Sequence, residues 1–209
     1  MTETVEVFDG VRTVIVDGWQ TGGAYIAIFS SRGLTNHRGV WRQIWDSGVS
    51  LLITIISPTG KDDMAQVSTF AGSFQLQVER ETQMGDIIVR TLRISNRGLS
   101  RAITQIVYTW FGPDTESFLA LVRETSEQWR QSGCHGPVLV WSASEVGCDP
   151  AIVWMCLDTM SRQMRSTGDT NLSHYSRYLA LTHGLSLSSS QLYIQMHDML
   201  AWAIQNNKL

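Results

Sequence analysis

A chain of 209 residues, 43% of them hydrophobic and only 17% charged, holds enough apolar mass for a full core, which excludes intrinsic disorder and predicts one domain over residues 1–209. Lys and Arg number 16 against 19 Asp and Glu, a net charge of −3, so there is no basic field to attract nucleic acid or an anionic membrane. The cysteines, Cys134, Cys148 and Cys156, are too few and odd in number for a disulfide scaffold.

The opening MTETVEVFDG is acidic and lacks the basic and apolar regions of a secretory signal. The most apolar run, Val49 to Ser57, is far shorter than the ~18 residues of a membrane span. These features predict an intracellular protein with no membrane insertion.

In chain order, Val11 to Val16 and Ala24 to Phe29 are predicted strands around a turn, Asp17 to Gly23, where Gly22 and Gly23 allow unusual φ values. His37 to Asp46 places Val40, Trp41, Ile44 and Trp45 on one face of a helix, so both tryptophans are expected in the core. Leu51 to Ile56 is continuously apolar, as in a strand covered on both faces. Phe70 to Glu79 alternates, with Phe74, Leu76 and Val78 against Gln75, Gln77 and Glu79. Asp86 to Ser95 and Arg101 to Trp110 alternate likewise, joined by Asn96 to Ser100 into an antiparallel meander.

Thr115 to Gln131 is an amphipathic helix with Phe118, Leu121, Val122 and Trp129 on its apolar side. Pro137 to Trp141 is a short buried strand, and Pro150 to Arg165 a strongly apolar helix. Helices over Tyr175 to His183 and Ser190 to Gln205 close the chain. Strands followed by a strand–turn–helix unit and trailing helices make an α+β domain with a mixed sheet.

Val138 to Pro150 (VLVWSASEVGCDP) takes a buried strand through a tight loop into a helix, a geometry that aims backbone N–H groups at one spot. This stretch resembles the signature loop of a protein tyrosine phosphatase domain, in degenerate form. The family pattern is His-Cys-Ser-x-Gly-x-Gly-Arg-Thr/Ser-Gly after an apolar strand preceded by Gly-Pro. Gly136 and Pro137 match, Trp141 stands at the His and Ser142 at the nucleophilic Cys. Glu145 stands at the first Gly, Gly147 is kept, Cys148 stands at the phosphate-binding Arg, and Asp149 and Pro150 complete the loop.

Other segments follow in the family's order. Asp17-Gly18-Trp19 with Ala24-Tyr25-Ile26-Ala27 resembles its first strand pair. Trp41 to Trp45 resembles an aromatic-rich helix, and Gly85 to Leu92 the strand containing Tyr-x-Val-Arg. Ile103 to Trp110 resembles the strand entering the Trp-Pro-Asp loop, and Ser117 to Leu119 the helix leaving it. The resemblance covers roughly residues 10–205 and implies a highly twisted mixed sheet flanked by helices. The family's N-terminal helices and phosphotyrosine-recognition loop have no counterpart, which predicts an apolar face shielded by a partner or an oligomer.

The departures remove the family's chemistry. Ser142 cannot form a low-pKa thiolate. Cys148 has no guanidinium fork for a phosphate. Trp110-Phe111-Gly112 runs past the place of the general acid. Asp114 is either a displaced acid or an N-cap of the following helix. Leu187 takes a glutamine position of the late Gln loop, and Gln191 fits another. Glu145 brings negative charge to the loop, and Asp149 before Pro150 is predicted to cap its helix and take the donors a phosphate would use.

The expected function is therefore a catalytically inactive, phosphatase-like module that binds protein, with Trp141, Glu145, Trp110 and Phe111 as candidate contact residues. The resemblance implies pairing with another phosphatase-like domain. Trp141 is either a core residue filling the vacated cleft or an exposed anchor. The alternatives are a phosphotyrosine or phospholipid reader, and an enzyme of altered chemistry using Ser142 or Cys148. A hydrolase elbow at Ser142 lacks its glycines, since Val140 and Ser144 flank it. A zinc site from Cys134, His135 and Cys148 lacks paired ligand spacing. His174, His183 and His197 are expected to be ordinary polar positions, and neither metal nor cofactor is predicted.

Overall fold

The computed structural model describes residues 6–8, 11–30, 38–59, 68–71, 73–112, 115–131, 136–143, 147–206 and 208. In chain order the elements are β1 (Glu6–Phe8), β2 (Val11–Gly18), β3 (Thr21–Ser30), α1 (Arg38–Asp46), β4 (Leu51–Ile56), β5 (Ser68–Ala71), β6 (Phe74–Met84), β7 (Ile87–Asn96), β8 (Leu99–Thr109), α2 (Thr115–Gln131), β9 (Val138–Ala143), α3 (Asp149–Thr167), α4 (Leu172–His183) and α5 (Ser190–Gln205). The strands form one sheet in the order β1-β2-β3-β9-β4-β8-β7-β6-β5. Its centre, β3-β9-β4-β8, is parallel, and both flanks are antiparallel. The architecture is α+β, a mixed sheet flanked by helices.

The central strands show why their sequence is apolar without alternation. In β9, Val138 and Val140 enter the core beneath α2, α3, α4 and α5, while Leu139 and Trp141 enter a second core against α1. In β4, Leu51, Ile53 and Ile55 face the first core and Leu52 and Ile56 the second. Both faces are buried, so these strands are apolar at nearly every position, Thr54 and Ser142 excepted. Before β9, Gly136 has φ +77°, and a Cβ there would sit 2.3 Å from the Gly48 carbonyl oxygen. Only glycine lets this loop meet the turn after α1 so closely.

Several boundaries move. The expected turn Asp17 to Gly23 shrinks to Trp19-Gln20, because pairing continues to Gly18↔Thr21 and Gln20 adopts φ 57°. Asp17 instead braces the hairpin, its Oδ1 accepting from the Gly23 N–H at 2.6 Å. The loop Asn96 to Ser100 shrinks in the same way to Arg97-Gly98, both at positive φ. The strand expected over Phe70 to Glu79 is two strands, which reverse between Ala71 and Phe74. Its continuation, β6, runs on to Met84 as an exposed ribbon paired with β7.

The α1 side of the sheet is largely covered among the described residues, with Ile15 of β2 left 39% exposed. Val11, Ile26, Ile28, Leu52, Leu76, Leu92 and Ile94 on that side are all buried, with Val40, Trp41 and Ile44 of α1 packed into the same cluster.

Candidate functional site

The parallel strands β3, β9, β4 and β8 end together, at Ser30, Ala143, Ile56 and Thr109. Crevices at the carboxyl ends of parallel strands are where such sheets place ligands. Three segments meet this edge: the loop from β9 into α3, Trp110-Phe111 after β8, and Leu187-Ser188 before α5.

Ser142 lies on β9 opposite Phe29 on one side and Ile55 on the other. It is 1% exposed. Its hydroxyl donates to the Gly147 carbonyl at 2.6 Å, so the loop closes on itself at this position. Gly147 has φ +67°, a left-handed bend that returns the chain toward Ser142.

Cys148 is half-buried and occupies the N-cap of α3, where its side chain makes no capping hydrogen bond. Burial pushes its thiol pKa up, the neighbouring Asp149 carboxylate adds to that rise, and Arg12 opposes it weakly. A nucleophilic cysteine needs the opposite environment, one that favours the thiolate.

Asp149 departs from expectation. It is the first residue of α3 rather than its cap, with Pro150 behind it. Its carboxylate leaves its own helix and accepts from the Ser188 N–H at 2.9 Å and from the Ser188 hydroxyl. Asp149 thus ties the signature-like loop to the segment before α5, where Leu187 packs against the first core and Gln191 is exposed.

Trp141 is 3% exposed, so the exposed-anchor alternative is corrected: it points into the second core, one face away from its neighbours Val140 and Ser142. Of the other candidate contact residues, Trp110 is half-buried, with its ring edge-on to Phe118 at 5.1 Å, and its backbone N–H donates to the Ile56 carbonyl at 2.8 Å. Phe111 is 67% exposed and is the one large apolar side chain presented at this edge among the described residues. Glu145, Asp114, Cys134 and His135 lie outside the described residues.

Two polar clusters escaped the sequence reading. Asp158, 0% exposed in the middle of α3, accepts from the Tyr25 hydroxyl at 2.7 Å, the Ser126 hydroxyl at 3.0 Å and the Arg162 Nε at 2.8 Å. A lone aspartate inside the apolar run Ala151 to Met160 was the available signal. The second cluster revises His183, which is buried rather than an ordinary polar position. Its Nε2 lies 3.0 Å from the Tyr178 hydroxyl, which reaches the Asp17 carboxylate at 3.2 Å, and Arg12 donates to its carbonyl at 2.6 Å. This cluster ties α4 to the first hairpin. His174 and His197 are exposed.

Among the described residues, no three His, Cys, Asp or Glu side chains converge as metal ligands would, and no helix is long and apolar enough to cross a membrane.

Residues 37–202 match the family model of the protein-tyrosine phosphatases. The chain is 26% identical over 218 aligned positions to a receptor-type tyrosine-protein phosphatase, mosPTP-1, of Aedes aegypti, covering 96% of this chain and 16% of that protein. It is 22% identical to the mosPTP-1 of Culex quinquefasciatus, covering 96% of this chain and 14% of that protein. The chain therefore spans about a sixth of the length of these curated relatives.

Proposed function

The chain belongs to the protein-tyrosine phosphatase family, and from that premise we propose that this phosphatase-like domain is catalytically inactive and works by binding other proteins. The observation that carries this reading is Ser142: the residue at the nucleophile's place is buried, and its hydroxyl is committed to the carbonyl of Gly147. Among the described residues the partner of that hydroxyl is the Gly147 carbonyl, not a base that would activate it. Cys148 stands where a guanidinium would clamp the phosphate, and it offers a thiol held protonated by burial and by Asp149. The alternative enzyme using Cys148 as nucleophile is disfavoured by that same shift.

A phosphate reader is disfavoured by charge. The loop's sequence carries two acidic residues, Glu145 and Asp149, whose charge opposes that of a phosphate. Phe111 is the exposed apolar residue best placed to meet a protein at this edge. A second phosphatase-like domain is the partner class suggested by the family, and an intracellular location follows the reading of the sequence.

The test is hydrolysis of para-nitrophenyl phosphate and of a phosphotyrosine peptide by the purified chain, with titration of the same peptide for binding. We expect no turnover above buffer and no saturable binding. Phosphate release that disappears in Ser142→Ala or Cys148→Ser overturns the inactive reading. Saturable peptide binding that is lost on dephosphorylation revives the reader.

A further inference from the structure

The charge of this chain is unevenly placed. A groove of about 530 Å³ lies between the β6–β7 turn and the distal half of α2, lined by Met84, Ile87, Ala120, Arg123, Glu124, Glu127, Arg130 and Arg165. A second groove of about 310 Å³ shares Arg130 and Arg165 with it and adds Trp129 and Arg162. The joined surface carries four arginines and two glutamates, +4 − 2 = +2, on a chain whose net charge is −3.

The two signs are not used alike. Glu127 accepts from Arg130 and Gln131, and Glu124 accepts from Gln128. Arg162 is spent on Asp158 and on the Trp129 ring. Arg123 and Arg165 are exposed, and among the described residues neither has an acidic partner. Two open guanidinium forks beside an apolar wall of Met84, Ile87 and Ala120 fit carboxylates carried on an apolar backbone.

We propose that this groove docks a short acidic segment of a partner protein, its carboxylates on the Arg123 and Arg165 guanidiniums and its apolar residues against Met84, Ile87 and Ala120.

A protein segment suits the groove better than a polyphosphate or a membrane, because Glu124 and Glu127 and the acidic remainder of the chain repel a dense polyanion. The groove is also remote from the β9–α3 loop: Arg165 lies sixteen residues beyond Asp149, about 24 Å along α3. It therefore stands whether or not that loop is catalytic.

The test is fluorescence anisotropy of the full chain with a labelled peptide, Ser-Glu-Ile-Leu-Glu-Ser, and its counterpart with Gln for both Glu. We expect saturable binding that weakens about tenfold or more with the neutral peptide, in Arg123→Glu and in Arg165→Glu, while Arg177→Glu, at an exposed position of α4, stays within about twofold. Both groove arginines are exposed, so the fold survives these changes, which thermal melting verifies. Equal binding of the neutral peptide, an equal loss in Arg177→Glu, no saturation at millimolar chain, or complete displacement by a few millimolar inorganic phosphate each overturns the proposal. Phosphatase assays of the same variants are expected to be unchanged, which separates this outcome from the fate of the inactive reading.

Discussion

The first turn of α3 and its middle belong to one helix and treat polar groups in opposite ways. At the first turn, Asp149 is half-buried and bonds Ser188, while Cys148 caps nothing. Two turns on, Asp158 is fully buried and held by Tyr25, Ser126 and Arg162, from β3, α2 and its own helix. A family that uses the first turn for chemistry must keep its donors open for an anion. Here Asp149 ties that turn to the segment before α5 without capping the helix, and the fully partnered aspartate lies at the helix centre.

The largest effect expected from this contrast is at the centre. Asp158→Ala leaves Arg162 and the Tyr25 hydroxyl without their shared acceptor and should cost about 3–5 kcal/mol of unfolding free energy in urea titrations. Trp141→Ala, which empties a core site, belongs in the same range of about 3–5 kcal/mol, whereas Phe111→Ala at the exposed edge should stay within about 0.5 kcal/mol. If the two aromatic variants proved equally mild, Trp141 would not be a core residue.

The first turn should respond less. Ser142→Ala removes a buried hydrogen bond and should cost about 1–2 kcal/mol, and Ser188→Ala, at an exposed contact, at most about 0.5 kcal/mol. A Ser188 variant as damaging as the Asp158 variant would erase the distinction between the two ends of α3.

The smallest effect is electrostatic. The thiols of Cys148 and Cys156, like the Tyr175 hydroxyl, titrate above their ordinary values in the fold, chiefly through burial. The unfolded chain therefore releases these protons first. Stability should be level below the ordinary thiol pKa, about 8.5, and fall as pH rises past it. In labelling at pH 8, Cys148 should react several-fold more slowly than free cysteine. Faster labelling would mean an activated thiolate.

Much of the fold was legible because its signals are local. The bounds of β4, α2 and α5 follow from an apolar run and two amphipathic periods, and all three match the structure residue for residue. Turn lengths were overestimated at Asp17 to Gly23 and Asn96 to Ser100, since strand pairing across the hairpin outweighs a local preference for glycine-rich loops. Of the candidate site, the order of residues along the loop was readable, but their partners were not.

Composition, hydrophobic period and motif order, all carried by near neighbours in the chain, determined the α+β class, the principal elements and the family. Tertiary structure alone decided which face of β9 receives Trp141, since both faces are apolar and alternation is silent there. It also turned Asp149 toward Ser188, 39 residues away, and gathered Tyr25, Ser126 and Arg162 around Asp158. Those choices depend on which buried polar groups find partners across the fold, and that is set by how the layers meet rather than by any local run of residues.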